Sequence, residues 1–308
     1  MSKDKYKVKN WSSYNEGLKQ RGSIRLWIQP GLSEQWKWKG TAKRGGQHLY
    51  SDTAVELCLT IGKVYSQPLR QTEGFIRSFF EQVGWGLEVP DYTTLCRQSK
   101  ALAINLCSKT GRSITDIVVD STGLKVYGEG EWKVRKHGAG KHRTWMKLHV
   151  ALDEVSQQIQ AVTLTSNGVD DATEVPALLR QIQQPIGGFK GDGAYDKHKV
   201  RKELHKRGIK QIIPPQHNAV VSKKRLPALQ ARDKAIETIA IVGRTRWKAE
   251  SGYHQRSKAE TVMFRYKTII GDYLSARKIE NQQTEIKIGC KILNIMLQTN
   301  KPISSKVA

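Results

Sequence analysis

The stretch ITDIVVDSTGLKVYG, residues 114–128, decides how the chain is read. Before it the apolar residues recur at roughly helical spacing; from Ile114 onward the period becomes strand-like. The spacing predicts a buried strand that ends on an acid, Asp120, followed by the small residues Ser121, Thr122 and Gly123. A strand end on a rigid scaffold holds a functional group with little freedom. A turn-forming aspartate is the alternative reading of the same residue.

Downstream, TWMKLHVALDE (144–154) and QIQAVTLTSN (158–167) read as two more strands joined by a turn at Glu154–Gln157, which gives an antiparallel meander. DDATEVPALLRQI (170–182) reads as a helix with Asp170 and Asp171 as capping residues, and it leads to a strand in GFKGDGAYD (188–196). A helix in KHKVRKELHKRG and a strand in KQIIPP follow. Residues 214–250 look like an insertion, with Pro214, Pro215, the basic SKKR and the helical ARDKAIETIAIV. A last helix carries Ile286, Leu293 and Met296 and stops near Pro302. Strands and helices in this order predict a mixed α/β fold, a sheet packed by helices.

Upstream, residues 1–110 read as helices broken by turns. Val55, Leu59 and Val64 stand near helical spacing, and Phe75, Ile76, Phe79 and Phe80 repeat the habit. Asp91, behind Pro90, caps a third helix whose inner side would be Leu95, Leu102 and Leu106. With Arg97 and Lys100 exposed on it, this is compatible with a helix-turn-helix, and equally with a plain helical bundle.

The 308 residues carry 52 Lys and Arg against 28 Asp and Glu, a formal +24 that points to a polyanionic partner. No run of about 18 apolar residues suggests a membrane span. Cys58, Cys96, Cys107 and Cys290 form no CxxC pair, and buried free thiols in a reducing compartment are the expectation. The N-terminal stretch has no apolar core of a secretory signal, so the expected place is the cytoplasm.

In a protein charged to bind DNA, acids that face the phosphates need a reason. Asp120 is the first such acid, and Asp192, between Gly191 and Gly193, is the second. The third comes from YHQRSKAETVMFRYK (253–267), which reads as a helix whose Arg256, Glu260 and Lys267 share one stripe beside an apolar sector of Ala259, Val262, Met263 and Tyr266. An ordinary Arg256–Glu260 surface pair is the competing reading. Three carboxylates could hold two Mg²⁺ ions for phosphodiester chemistry.

These segments resemble the DDE transposases of bacterial insertion sequences, most closely the insertion-sequence-five family. The signature Y-x2-R-x3-E-x6-K stands at Tyr253, Arg256, Glu260 and Lys267, while VVDSTGLKVYG and KGDGAYD resemble the first-acid and second-acid segments. The resemblance extends over nearly the whole chain. It implies an RNase H-like catalytic core over 111–308, interrupted at about 214–250, behind an N-terminal helical region (1–110) that binds the element's ends. It also implies metal-dependent strand cleavage and transfer, with Asp120, Asp192 and Glu260 as ligands of Mg²⁺ or Mn²⁺, two ions per site. The partners would be terminal inverted repeats and target DNA. Joining two ends in concert calls for a homo-oligomer on the DNA. A non-catalytic DNA-binding derivative and a nuclease that cuts without joining are the alternatives.

Tyr253, Arg256 and Lys267 are expected on DNA. The basic stretch 130–147 is a further expected phosphate contact, with Lys133, Arg135, Lys136, Lys141, Arg143 and Lys147 beside Trp132 and Trp145, unless it is a solvated hairpin tip. Its GAGK is no P-loop, because Arg135 stands where the first Gly is needed. His137, His142 and His149 lack the spacing of a zinc site and are expected in basic loops. Asp196 is a spare acid.

Overall fold

The computed structural model describes residues 5–41, 44–45, 49–106, 114–126, 145–224 and 226–307. Two compact units emerge, one of residues 1–104 with 291–308 and one of 105–290.

In the first unit, β1 (Lys5–Val8) pairs antiparallel with the C-terminal strand Ser304–Val307. Asn10 secures the pairing, donating to the Lys301 carbonyl at 2.8 Å and accepting from the Ile303 amide at 2.7 Å. Helices α1 (Trp11–Gly22), α2 (Leu32–Gln35), α3 (Asp52–Val64), α4 (Leu69–Gln82) and α5 (Tyr92–Gln98) follow. Ser51 caps α3 by accepting from the Ala54 amide, and Asp91 caps α5 by accepting from the Thr93 and Thr94 amides. A Cβ at Gly62 would lie 2.5 Å from Thr72 Oγ1, so only glycine lets α3 approach α4 this closely. The buried face of α3 is Ala54, Val55, Leu57, Cys58 and Ile61, so of the three expected positions Val55 is fully buried and Leu59 and Val64 are not. The helix rotates toward α4 and α5, whose Ile76, Phe80 and Leu95 are fully covered, and partners on two sides widen the buried sector. Helix α5 is short: Leu102 is buried but lies past its end.

The second unit holds one mixed sheet. Strands β2 (Ile114–Val126), β3 (Trp145–Asp153) and β4 (Ile159–Ser166) form the antiparallel meander. After α6 (Val175–Gln181) comes β5 (Ile186–Lys190), parallel to β2, and after α7 (His198–Lys206) comes β6 (Lys210–Ile212), parallel to β5. The spatial order is β4-β3-β2-β5-β6. Next are α8 (Gln230–Val242), α9 (Arg244–Glu250), α10 (Ser257–Arg265) and β7 (Tyr273–Leu274), which pairs with the far end of β2. The chain passes from this unit to the first within α11 (Ile279–Gln298) and ends in β8, the strand Ser304–Val307.

Alternation along β2 separates two faces. Ile117 and Val119 join the core with Ala151, Val175, Leu178, Phe189, Val200 and Leu204, under α6 and α7. Val118, Asp120 and Leu124 point to the opposite face, where α10 packs with Ala259, Val262 and Met263 buried. Strand β2 does not end at Asp120. It loses β5 after Val118 but keeps β3 as a partner through Lys125, and β7 takes over on the vacated side. Asp120 therefore sits mid-strand where one neighbour departs, which leaves room beside it.

Among the described residues no helix is long and apolar enough to cross a membrane.

Candidate active site

Register brings the two aspartates together. Val118 and Lys190 are the last pair of the parallel β2–β5 ladder, and Asp120 and Asp192 each follow two residues beyond it, near enough for Asp192 to act on the Asp120 carboxyl. Asp192 caps the 3₁₀ turn Gly193–Tyr195, accepting from the Ala194 amide at 2.9 Å. Gly191 is required beside it, since a Cβ there would stand 2.7 Å from the Tyr195 ring.

The third acid arrives on α10. The stretch 253–267 is not one regular helix: Tyr253–Arg256 is a 3₁₀ turn, Ser257–Arg265 is α-helical and Tyr266–Ile270 is a π turn. Gly252, at φ 72°, supplies the left-handed residue that starts it. Arg256 and Glu260 nonetheless share a face. The Arg256 guanidinium donates through Nη1 to Asp120 Oδ2 at 2.9 Å and through Nη2 to Glu260 Oε1 at 2.5 Å. One side chain thus joins two acids 140 positions apart in sequence.

The electrostatics agree. Burial pushes the Asp120 carboxyl above its ordinary value, with Asp192 and Glu260 adding to the rise and Arg256 and the Ser121 amide opposing it. For Arg256, burial works against the charge, but Asp120, Tyr253, Glu260 and Asp192 outweigh it and hold the guanidinium above its usual value. Burial also raises the Tyr253 phenol, with Asp192 and Asp120 contributing and Arg256 opposing. Tyr253, Arg256, Asp120, Asp192 and Glu260 therefore form one electrostatic cluster. Lys267 lies apart in the π turn, exposed, and the carboxylate it influences is Asp272, which pairs with Lys125.

Beneath the acids the sheet carries two networks that the sequence did not announce. On the α10 face, Lys190 is buried between Asp116, at 2.8 Å, and Glu154. Lys258 of α10 donates to the Glu154 carbonyl at 3.1 Å. A Cβ on Gly252 would lie 3.7 Å from the Lys190 ammonium, so the same cation supports the turn that begins at Tyr253. On the other face, Asp171 accepts from Ser121 Oγ and from Lys147 Nζ, both at 2.9 Å. His149 lies fully buried in β3, bonded to Thr165 Oγ1 at 2.8 Å, and not in a basic loop. Burial holds its imidazole below the usual value, with Asp171 and Glu174 opposing. Tyr195, fully buried in the field of Asp120, Asp171 and Asp192, keeps a hydroxyl with no hydrogen-bond partner among the described residues. A charged Lys two residues before Asp192, inside a covered strand, was the one local hint.

Several expectations change. Asp196 is not a spare acid: it is buried and accepts from Arg201 at 2.9 Å and 3.1 Å and from the Gln216 amide at 3.0 Å, with Arg232 at 3.3 Å. It anchors residues 214–250 to the turn that follows Asp192. Asp170 is a cap, accepting from the Ala172 amide. Cys96 is exposed rather than buried, while Cys58 and Cys290 are buried. Arg97 and Lys100 are exposed at the end of α5 and in the following 3₁₀ turn, within the first unit. Lys133, Arg135, Lys136, Lys141 and Arg143, with Trp132, His137, His142 and Cys107, lie outside the described residues.

Asp120, Asp192 and Glu260 offer only hard oxygen donors, the chemistry that Mg²⁺ and Mn²⁺ select. Among the described residues no three His, Cys, Asp or Glu side chains stand close enough as they are to hold a metal ion. Arg256 lies between two of the acids, so the cation they share here is a guanidinium. The donor set fits a divalent ion, and the buried Tyr195 hydroxyl, in the field of Asp120 and Asp192, has no hydrogen-bond partner among the described residues.

Two family models, each described as a transposase DDE domain, match the chain over residues 19–129 and 111–295. The second spans more than half of its length, and the chain belongs to the DDE transposases of insertion sequences.

Proposed function

We propose that this transposase binds the terminal inverted repeats of its element and uses divalent metal to cut DNA strands and join them to target DNA, within the bacterial cytoplasm. The insertion-sequence-five family is its nearest kin in this reading. The observation that carries the proposal is the Arg256 bridge from Asp120 to Glu260, with Asp192 close enough to act on the Asp120 carboxyl. The sheet order, an antiparallel triplet followed by two parallel strands, supports an RNase H-like core.

Asp120, Asp192 and Glu260 would hold Mg²⁺, or Mn²⁺ in its place, two ions per site. Such ions supply Lewis-acid stabilisation to the attacking and leaving oxygens. The chain's own residues do the rest. Arg256 and Tyr253 hold a phosphate of the cleaved strand, Lys267 adds a cation beyond α10, and the basic stretch 130–147 tracks the backbone. The helical region 1–110 holds the terminal repeat, with Arg97 and Lys100 on α5 and its extension. A dimer or larger assembly on DNA joins the two ends together. The test is incubation of the purified protein with inverted-repeat duplexes and Mg²⁺ or Mn²⁺. Nicked ends and joined products are expected. Binding without either product favours the non-catalytic alternative, and nicks alone favour a plain nuclease.

A further inference from the structure

The guanidinium that bridges Asp120 and Glu260 occupies the position that a shared cation would take. We infer that Arg256 is an exchangeable placeholder: without DNA it neutralises the acids, and a DNA phosphate draws it away and frees them for divalent metal. This rests on the metal-binding role proposed for the three acids. It assigns an order, DNA before metal, that the role itself does not require.

The geometry supports the exchange on three counts. First, Arg256 spends one hydrogen bond on each of two carboxylates, 2.9 Å to Asp120 and 2.5 Å to Glu260, so the fork engages neither acid with both arms. A phosphate presents two oxygens to one guanidinium, and such a bidentate pair is the arrangement arginine favours. Second, the acids can be released at little cost. The Glu260 side chain is 60% exposed and, among the described residues, is held by Arg256, while α10 itself is fixed by the buried Ala259, Val262 and Met263. Third, the charges call for a replacement. Three carboxylates around one guanidinium leave two negative charges uncompensated, and removing Arg256 leaves three. An incoming phosphate adds more.

A phosphate that takes Arg256 and a metal that takes the acids both break the same bridge, so each favours the other's binding, and the coupling is reciprocal. Mn²⁺ binding can be followed by electron paramagnetic resonance. It is measured with and without a 30-base-pair duplex taken from the DNA that flanks the coding sequence, with uptake by the duplex alone subtracted. The unaltered protein binds Mn²⁺ weakly alone, and the duplex tightens binding by about 5- to 150-fold, the usual span of coupled sites. Arg256→Gln binds Mn²⁺ tightly without DNA and gains little from the duplex. Arg246→Gln, at an exposed arginine paired with Glu250, controls for lost positive charge and behaves as the unaltered protein. Equal Mn²⁺ affinity of the unaltered protein and folded Arg256→Gln without DNA overturns the exchange. A second measurement needs no variant: saturating Mn²⁺ must tighten the duplex by the same factor, and no change overturns it too. If Mn²⁺ binds in neither state, or binds Asp192→Asn equally well, the metal-site reading itself fails.

Discussion

Lys190→Met tests the frame on which the acids stand. The ammonium is buried, its side chain 5% exposed, between Asp116 and Glu154, whose side chains are 19% and 16% exposed. Methionine keeps the length and apolar stem, so the change removes the charge and little of the packing. Removing one partner of a buried ion pair costs about 3–5 kcal/mol, because the charge left behind is uncompensated. Both carboxylates retain an edge in water, which places the cost near the lower end, about 3 kcal/mol. For a unit of this size each kcal/mol moves Tm by about 2–4 °C, so calorimetry should find a fall of about 6–12 °C. Adding Glu154→Gln to the variant removes the repulsion and restores part of the loss. The pH dependence has a definite sign. Burial lowers the Lys190 pKa, but its bonds to Asp116 and Glu154 outweigh this and raise it. Its contribution is therefore complete below the unfolded lysine value, about 10.4, and is lost only as pH rises toward the folded value. The gap between the two proteins should stay constant from about pH 6 to 9 and narrow above pH 10. A Tm within about 2 °C of the unaltered protein, or a gap that closes at neutral pH, would refute the reasoning.

Two further tests reach the opposite face. The His149 imidazole is held below its usual value by burial, so the unfolded chain takes up its proton first as pH falls below about 6.5, and stability drops by up to about 1.4 kcal/mol per unit. Denaturation of His149→Gln should show a flatter acid limb between about pH 6.5 and 5; an unchanged slope would show that this ring does not supply it. The Tyr195 hydroxyl is buried with no partner among the described residues, and removing such a group relieves a desolvation cost of about 1–3 kcal/mol. Tyr195→Phe should hold or raise Tm, and a loss above about 1 kcal/mol would mean that the hydroxyl is bonded.

How far the chain could be read follows from where each constraint lies. The meander was legible because strand alternation and the Glu154–Gln157 turn are local signals, and the Asp91 cap for the same reason. The length of β2 was not, since its second half is held by β3 and by β7, whose two residues carry no strand pattern of their own. The stripe on 253–267 foresaw that Arg256 and Glu260 share a face, but a uniform helical step carried Lys267 onto it, and the π turn from Tyr266 breaks that step. Asp196 looked free because its partners, Arg201, Gln216 and Arg232, lie up to 36 positions away. Apart from its place two residues before Asp192, Lys190 carries no local signal that separates it from the chain's other lysines, although burial makes it the centre of an ion triad with Asp116 and Glu154. Contacts that close over long sequence distances are invisible to periodicity.

The claim at the centre is that Asp120, Asp192 and Glu260 act as one set on DNA. Asp120→Asn, Asp192→Asn and Glu260→Gln preserve shape and remove one charge each. In a strand-cleavage assay on inverted-repeat duplex with Mg²⁺ or Mn²⁺, each should lose cleavage by at least about a hundredfold while duplex binding stays near that of the unaltered protein. Cleavage at the normal rate by any one of the three would remove that residue from the site and contradict the account.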